Sequence, residues 1–469
     1  MSETDGANHV VTAFLRNRGE VLLLKRSDAV GTYPGRWGGV SGYAEDEPDE
    51  QVLVEIREET GLDPETDVTL VRSGRPVEFA DPELDREWVV HPSLFDCESR
   101  AKRESRDERA ASNRGERAAR PEIELSEEHV ECAWTPPTAI ATGEYETVPK
   151  LWDAYERVAP TVRSIAADDE HGAASLSIRA LEVLRDRAGL LVREREGEGE
   201  NESEGEGDEP DRVAEWGELA DLAGRLFEAR PAMAVVRNRV NRAMADAEDG
   251  DGTRDAETAL RSTIAAVERA VEADEAAAQR AGEFASGRVL TLSRSGTVLE
   301  ALRAGEPNRV FVAESRPARE GVKVAEALAG DVPVTLHTDA ATAHLLSAEK
   351  IDAVLVGADA VLPDGRAVNK VGTRAAAIAA AREDVPVYAV AAIDKVSTRE
   401  AVNLESGDRS AVYEGEAPLD VANPTFDVTP ADCVTGIVTE RGVLDAEGVA
   451  AVAAELRELE GWDDVRSNS

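Results

Sequence analysis

Short apolar runs at residues 10–14 and 21–24, separated by Asn17-Arg18-Gly19, predict two strands joined by a turn. A glycine-rich stretch follows at 31–42. Residues 48–60 predict a helix: Pro48 suits the first turn, Asp46 and Glu47 suit the positive end, and Gly61 is a stop. Residues 68–73, 87–94 and 130–134 predict further strands, and 147–158 a closing helix. Between them, 97–122 is rich in Arg and Glu and almost lacks large apolar side chains, which predicts a solvated insertion. It is the one locally basic stretch, but its acidic residues nearly cancel the charge, so an RNA-binding arm is not favoured.

Near Pro160 the character changes. Residues 173–192 read as helix, and 193–211 as a flexible loop, since GEGENESEGEGDEPD contains no apolar residue. Trp216, Leu219, Ala220, Ala223, Leu226 and Phe227 then recur at helical spacing, and Ala-rich helix continues to about residue 285. After Gly287 short apolar strands at 289–292, 310–313, 332–336, 353–356 and 387–391 alternate with helical segments. Non-alternating strands between helices predict a parallel sheet covered on both faces, with ligands beyond its carboxyl edge. The expected organisation is a first domain at 1–158, a helical subdomain at 165–285 and a Rossmann-like domain at 286–460.

Charge narrows the function classes. The 469 residues hold 95 acidic and 53 basic side chains, a net charge of −42. Such a surface repels phosphate backbones and anionic lipid heads, so nucleic acid and membrane are poor partners. An acidic chain of this kind is either disordered or folded for a salty interior, where screening is nearly complete. The periodic segments favour the folded, salt-adapted reading. Cys97, Cys132 and Cys433 form no CxxC pair, which argues against a disulfide framework and a zinc site. No apolar run reaches membrane length and the start lacks a signal peptide's features, so the expected location is cytoplasmic.

On the helix at 48–60, Glu55, Glu58 and Glu59 fall at i, i+3 and i+4 and share one face. Like charges so placed destabilise a helix unless a cation compensates, and a hard divalent ion with oxygen ligands does so. The glutamates alone fit a plain acidic helix face equally well. The surroundings are more specific. Trp37-Gly38-Gly39, Ser41-Gly42-Tyr43-Ala44-Glu45 and Glu55-Ile56-Arg57-Glu58-Glu59-Thr60-Gly61-Leu62 together resemble the Nudix box, GX5EX7REUXEEXGU. That resemblance implies an α/β/α sandwich that hydrolyses a nucleoside diphosphate linked to another group. It also implies that Glu55, Glu58 and Glu59 are catalytic and hold Mg2+ or Mn2+, with Gly39 in the preceding loop. There are two departures. The box Arg, which orients the glutamates in that family, is Val54; the first box Glu falls at Asp46, flanked by Glu45 and Glu47. Trp37, Glu78, Phe79 and Trp88 are candidates to line the pocket.

A second set follows the later strands: Glu314-Ser315-Arg316-Pro317, Val356-Gly357-Ala358-Asp359, and Asn369-Lys370-Val371-Gly372-Thr373 leading into an Ala-rich helix. A Lys and small residues at a helix start favour an anion, through free backbone N–H groups and the helix dipole. Singly, these pieces also read as caps and turns. In order, they resemble the initiation factor 2B alpha/beta/delta family, which includes ribose-1,5-bisphosphate and methylthioribose-1-phosphate isomerases. The resemblance covers about 165–455 and implies a helical part, a Rossmann-like part and a homo-oligomer formed through it. It implies Asp359 as a proton-shuttling residue, and Arg316, Asn369, Lys370, Arg230 and Ser293 as binders of a nucleotide or sugar phosphate. Ser293 stands where the isomerases have a Cys, and the family's Arg-Gly-Ala is His171-Gly172-Ala173. A hydroxyl is a much poorer proton shuttle than a thiol. The leading expectation is therefore a Nudix-type hydrolase with a ligand-binding second half. The alternatives are a non-catalytic regulatory protein and a bifunctional hydrolase–isomerase.

Overall fold

The computed structural model describes residues 7–44, 47–97, 120–168, 170–199, 208–250 and 252–462. Most of the predicted insertion at 97–122, together with Glu45 and Asp46, therefore lies outside the described residues. The chain divides into two units, one of residues 1–161 and 185–211, the other of 162–184 and 212–469.

The first unit is built on an eight-stranded mixed sheet. Its strands are β1 (Asn8–Asn17), β2 (Glu20–Arg26), β3 (Trp37–Gly38), β4 (Val40–Tyr43), β5 (Val68–Ser73), β6 (Val77–Asp81), β7 (Arg86–Cys97) and β8 (His129–Thr135). The central path runs β3-β2-β1-β7-β5, and only β1 and β7 pair in parallel. Period-2 alternation sends successive residues of β2 to opposite faces. Leu22 and Leu24 join Val52 and Ile56 of α1 (Pro48–Thr60) on one face. Val21 and Leu23 join Ile140 of α2 (Thr138–Ala141) and Leu151, Trp152 and Tyr155 of α3 (Leu151–Glu156) on the other. The result is the expected α/β/α sandwich. Helix α1 has the predicted limits, and Gly61 closes it in the left-handed region at φ 72°. Strands β3, β4 and β6 were not among the predicted elements; they are short or lack a clear apolar run.

In the second unit and the segment leading to it come α4 (Val162–Ala166), α5 (Ala173–Gly199), α6 (Asp208–Ala229), α7 (Ala234–Ala245) and α8 (Ala256–Gly282). The loop predicted at 193–211 is helical at both ends, because α5 runs to Gly199 and α6 begins at Asp208, and its middle, 200–207, lies outside the described residues. Arg and Glu are good helix formers, so a charged run without apolar residues still propagates a helix already nucleated by packing. Residues 185–211 belong to the first unit, where the buried Arg185 side chain bonds the Gly19 carbonyl and Asp186 accepts from the Tyr155 hydroxyl at 3.0 Å.

Thereafter strand and helix alternate: β9 (Ser286–Leu292), α9 (Gly296–Ala304), β10 (Glu306–Ala313), α10 (Glu320–Leu328), β11 (Val334–His337), α11 (Thr342–Ala348), β12 (Ala353–Gly357), β13 (Ala360–Val361), β14 (Ala367–Lys370), α12 (Thr373–Arg382), β15 (Val387–Val390), β16 (Phe426–Thr429), β17 (Gly436–Thr439), β18 (Gly442–Leu444) and α13 (Ala446–Glu458). Seven strands form one sheet in the order β11-β10-β9-β12-β15-β17-β18. All its pairs are parallel except β17 with β18. Helices α9 and α10 bury Val298, Ala301, Leu302, Val324 and Leu328 on one face; α12 and α13 bury Ala376, Ala380, Val449 and Leu456 on the other. Strands β13, β14 and β16 make a small antiparallel sheet.

Candidate functional site

In the first unit, α1 presents Glu55, Glu58 and Glu59 to different depths. Glu58 is exposed, Glu55 half-buried and Glu59 only 3% exposed. The Ser41 backbone N–H donates to Glu59 Oε2 at 3.0 Å, whereas the buried Oε1 has no hydrogen-bond partner. Burial pushes the Glu59 carboxyl up to about 8, with the Glu55 and Glu128 carboxylates adding to the shift and Ser41 and Arg26 opposing it. Burial also raises Glu55, which accepts a hydrogen bond from Gln51 Nε2 at 2.7 Å. A Cβ at Gly42 would displace the Glu55 carboxylate from its present position. At Gly39 the obstacle is backbone, with the would-be Cβ 2.8 Å from the Ala13 carbonyl oxygen.

The cation beside these carboxylates comes from outside the helix. Arg57 turns to Asp63 at 3.3 Å, and Val54 is 42% exposed. Arg26, at the end of β2, donates to the Thr32 carbonyl at 2.9 Å and reaches the Ser41 hydroxyl at 3.5 Å. Burial lowers the Arg26 guanidinium, and Glu59 and Glu128 oppose that shift. His129 Nε2 lies 4.0 Å from Glu59 Oε1, but burial and Arg26 depress the imidazole to about 4, so it is neutral at pH 7 and the contact is no ion pair. Among the described residues, no three His, Cys, Asp or Glu side chains are arranged as a metal site. The chemistry of the donors still fits a hard divalent cation: oxygen ligands only, one of them buried and unpartnered. Of the pocket candidates, Trp88 is buried and tilts against Tyr33 and Tyr43, and Trp37 meets Tyr145 edge-on.

In the second unit, three neighbouring parallel strands bring their carboxyl ends together. Ser293 follows β9 at φ 63°, its N–H donating to the Ser315 hydroxyl at 2.7 Å. The Ser293 hydroxyl donates to Glu320 Oε2 at 2.8 Å, and Glu320 Oε1 pairs with Lys370 Nζ at 3.2 Å. Lys370 ends β14 and lies over the Phe426 ring at 5.5 Å. Asp359 follows β12; burial raises its carboxyl, while Lys395 and Lys370 pull it down. Lys395, 6% exposed, is depressed by burial and held up by Asp274 and Asp359. Asn369 is buried and donates to the Thr373 hydroxyl at 2.9 Å. The Ser315 and Arg316 N–H groups are held by Asp339 at 2.8 and 2.7 Å, and Arg316 is exposed.

The initiation factor 2 subunit family model matches residues 169–446. The chain belongs to that family. A NUDIX domain model matches residues 7–158, so the family portion is fused to a NUDIX domain. A methylthioribose-1-phosphate isomerase of Pseudomonas aeruginosa is 38% identical over 184 residues, which cover 34% of this chain and 50% of that protein. The one from Crocosphaera subtropica is 38% identical over 162 residues, covering 31% and 47%. The chain thus spans about half the length of these curated relatives. Among solved structures, the Pyrococcus horikoshii OT3 translation initiation factor eIF-2B is 23% identical, with a TM-score of 0.48 over 60% of this chain and 94% of its own. The 5-methylthioribose 1-phosphate isomerase of the same organism is 20% identical, with a TM-score of 0.48 over 70% and 90%.

Within the initiation factor 2 subunit portion, Ser293, Lys370 and Asp359 come to the same strand ends, with Asn369 beside Lys370. Arg230 is otherwise engaged: Nε donates to the Ile165 carbonyl at 2.9 Å, and the guanidinium also bonds the Asp168 carbonyl. The start of α12, expected to offer free N–H groups to an anion, is already capped. Asp427, opposite Asn369 in the β14–β16 register, accepts from the Gly372 and Arg374 N–H groups at 2.8 and 3.1 Å. A carboxylate of the chain satisfies the helix dipole there. Sequence reasoning missed Glu320, Lys395 and Asp427 here, and Arg26 and Glu128 in the NUDIX domain. Glu320 lies in the segment already singled out at Arg316, but an acidic residue in a first helical turn reads as ordinary capping chemistry.

Proposed function

We propose that the NUDIX domain is a divalent-metal-dependent hydrolase of a nucleoside diphosphate derivative, with Glu55, Glu58 and Glu59 holding Mg2+ or Mn2+. The observation that carries this reading is the buried, unpartnered Glu59 oxygen on a helix face that also bears Glu55 and Glu58. When bound, such a cation polarises the phosphoryl oxygens and acidifies a water. The chain's own residues do the rest. Ser41 fixes one oxygen of Glu59 and leaves the other free for a ligand. Burial raises the Glu55 carboxyl and so makes its carboxylate a stronger base, placed to take the proton of the attacking water. Neutral His129 adds no charge that competes with the cation.

The second unit, in this reading, binds a nucleotide or sugar phosphate at its strand ends through Ser293, Arg316, Asn369 and Lys370, with Asp359 at the reacting part. Arg230 is left out, because its guanidinium is spent on backbone carbonyls. The isomerase names of the relatives favour the sugar phosphate. The acidic chain works in a salty cytoplasm and forms a homo-oligomer through this unit, which sedimentation in molar KCl measures directly.

The deciding experiment incubates the protein in molar KCl with Mg2+ or Mn2+ and a panel of nucleoside diphosphate derivatives. Turnover is expected, and Glu58→Gln with Glu59→Gln lowers it more than about a hundredfold. Normal turnover by that double variant sinks the hydrolase assignment.

A further inference from the structure

Two of the chain's six histidines meet nitrogen to nitrogen, and neither candidate site uses them. His9 lies on β1 and His91 on β7, neighbouring parallel strands paired from Asn8 with Trp88 to Arg16 with Asp96. His9 is opposite Val89, so His91 stands two residues further along β7 and projects from the same face. Val11, opposite His91, marks that face, since it belongs to the core shared with Val52 and Ile56 of α1. The imidazoles stack with centroids 5.2 Å apart and an interplanar angle of 25°. His9 Nδ1 lies 3.0 Å from His91 Nε2. The His9 carbonyl also accepts from the Ala44 N–H at 2.9 Å, which fixes the backbone beneath the first ring.

Both rings are half-buried. Burial and the His9 ring lower the His91 imidazole, while Asp49, in the first turn of α1, opposes that shift. His91 is therefore neutral at pH 7, with a lone pair to give. Two facing imidazole nitrogens share one proton, which one ring donates and the other accepts. A metal ion can stand in place of that proton. The ring that held it then carries its proton on the outer nitrogen, and both inner nitrogens face the ion. Their spacing distinguishes the coordination. Two imidazoles at about 2.1 Å from an ion are about 3.0 Å apart at a right angle and about 3.4 Å apart at the tetrahedral angle. The observed 3.0 Å is the right-angle value. Strand pairing presets it, so little has to reorganise on binding.

We infer that His9 Nδ1 and His91 Nε2 form a chelate for a late first-row divalent ion in square coordination, of the Ni2+ and Cu2+ class. Imidazole nitrogen suits these ions, whereas Mg2+ and Mn2+ prefer the oxygen donors of Glu55, Glu58 and Glu59. The two sites are therefore separate in chemistry, and this inference does not rest on the hydrolase reading. Among the described residues no third His, Cys, Asp or Glu completes a ligand set, so water fills the other corners. Asp49 contributes negative charge beside the ion, and the net charge of −42 concentrates cations around the chain.

The test uses the full chain in molar KCl at neutral pH, stripped of metal by a chelator that is then removed. Ni2+ is titrated by calorimetry with Mg2+ in excess, so that the oxygen donors of α1 are already served. The wild type should bind Ni2+, and Glu58→Gln with Glu59→Gln should bind it equally well. His9→Gln and His91→Gln should each weaken binding at least about tenfold, and Asp49→Asn by less. With less than one equivalent of Cu2+, the electron paramagnetic resonance spectrum should show coupling to two imidazole nitrogens in the wild type and to one in either histidine variant. The wild-type nitrogen count needs no substitution, so it decides the case even where a variant fails to fold. No Ni2+ binding in the presence of Mg2+, binding unchanged in both histidine variants, binding lost in the glutamate double variant, or fewer than two coupled nitrogens in the wild type would each overturn the inference and leave a plain hydrogen-bonded histidine pair.

Discussion

The two carboxylate-bearing regions solve the same electrostatic problem in opposite ways. On α1 like charges are stacked, and one buried oxygen of Glu59 is left without a hydrogen-bond partner. At the strand ends of the second unit, carboxylates and cations are interleaved: Glu320 with Lys370, and Asp359 near Lys395 and Lys370. Deeper still, Arg239 pairs with Asp274 at 2.9 Å and Asp394 at 3.5 Å, and Arg242 pairs with Asp394 at 2.9 Å. The α1 cluster, which Arg26 offsets only in part, suits a metal ion as further counter-charge. The compensated cluster can hold protons at defined atoms without one. Both lie in an acidic chain, so local arrangement rather than net charge separates them.

After the Glu58/Glu59 double variant, whose effect is loss of turnover, the largest expected change is in the buried network. Arg239→Ala leaves the part-buried Asp274 without this cation and buried Asp394 with Arg242 in its place, and should lower stability by about 3 kcal/mol, measured by chemical denaturation. A change near zero would mean that the interleaving is dispensable. Next comes pH. With its carboxyl held near 8, Glu59 keeps a proton in the folded chain that the unfolded chain releases near the ordinary value of 4.5. Between those values the folded state binds more protons, so this group's contribution to stability falls as pH rises from about 5 to 8. The metal-free protein should show that slope in its melting temperature, and Glu59→Gln should flatten it. Mn2+ affinity should rise over the same window, because the ion displaces the proton. A slope unchanged by Glu59→Gln would erase the contrast drawn for α1. The smallest effect is at α12: Asp427→Ala removes a cap from two N–H groups and should cost about 1 kcal/mol. If the freed helix start then binds inorganic phosphate more tightly than wild type, Asp427 is the anion that ordinarily fills it.

Much of the architecture was legible along the chain because it depends on neighbours a few residues apart. The helix at Pro48–Thr60 follows from Pro48, the apolar positions Val52 and Ile56, and Gly61. The parallel strands follow from short apolar runs buried on both faces. The three glutamates share a face for the same local reason. The loop predicted at 193–211 was drawn too wide at its ends because apolar content is no measure of helix propensity in an Arg/Glu run, and α5 carries on to Gly199.

Local sequence therefore suffices for most of the longer elements, the two motif-bearing segments and the identity of the carboxylates on α1. Which charges meet depends on the assembled sheets. Arg26 reaches Ser41, and stands beside Glu59, from a strand more than thirty residues away from that helix position, while Arg57, closer in sequence, turns to Asp63. Glu320 meets Ser293 and Lys370 only because β9 and β10 are sheet neighbours and β14 returns to their ends. Asp427 reaches α12 through the β14–β16 register. Local propensity acts over a few residues, whereas Coulomb energy and desolvation depend on distance and burial in space. The protonation and partners of these sites therefore exist only once the sheets have formed.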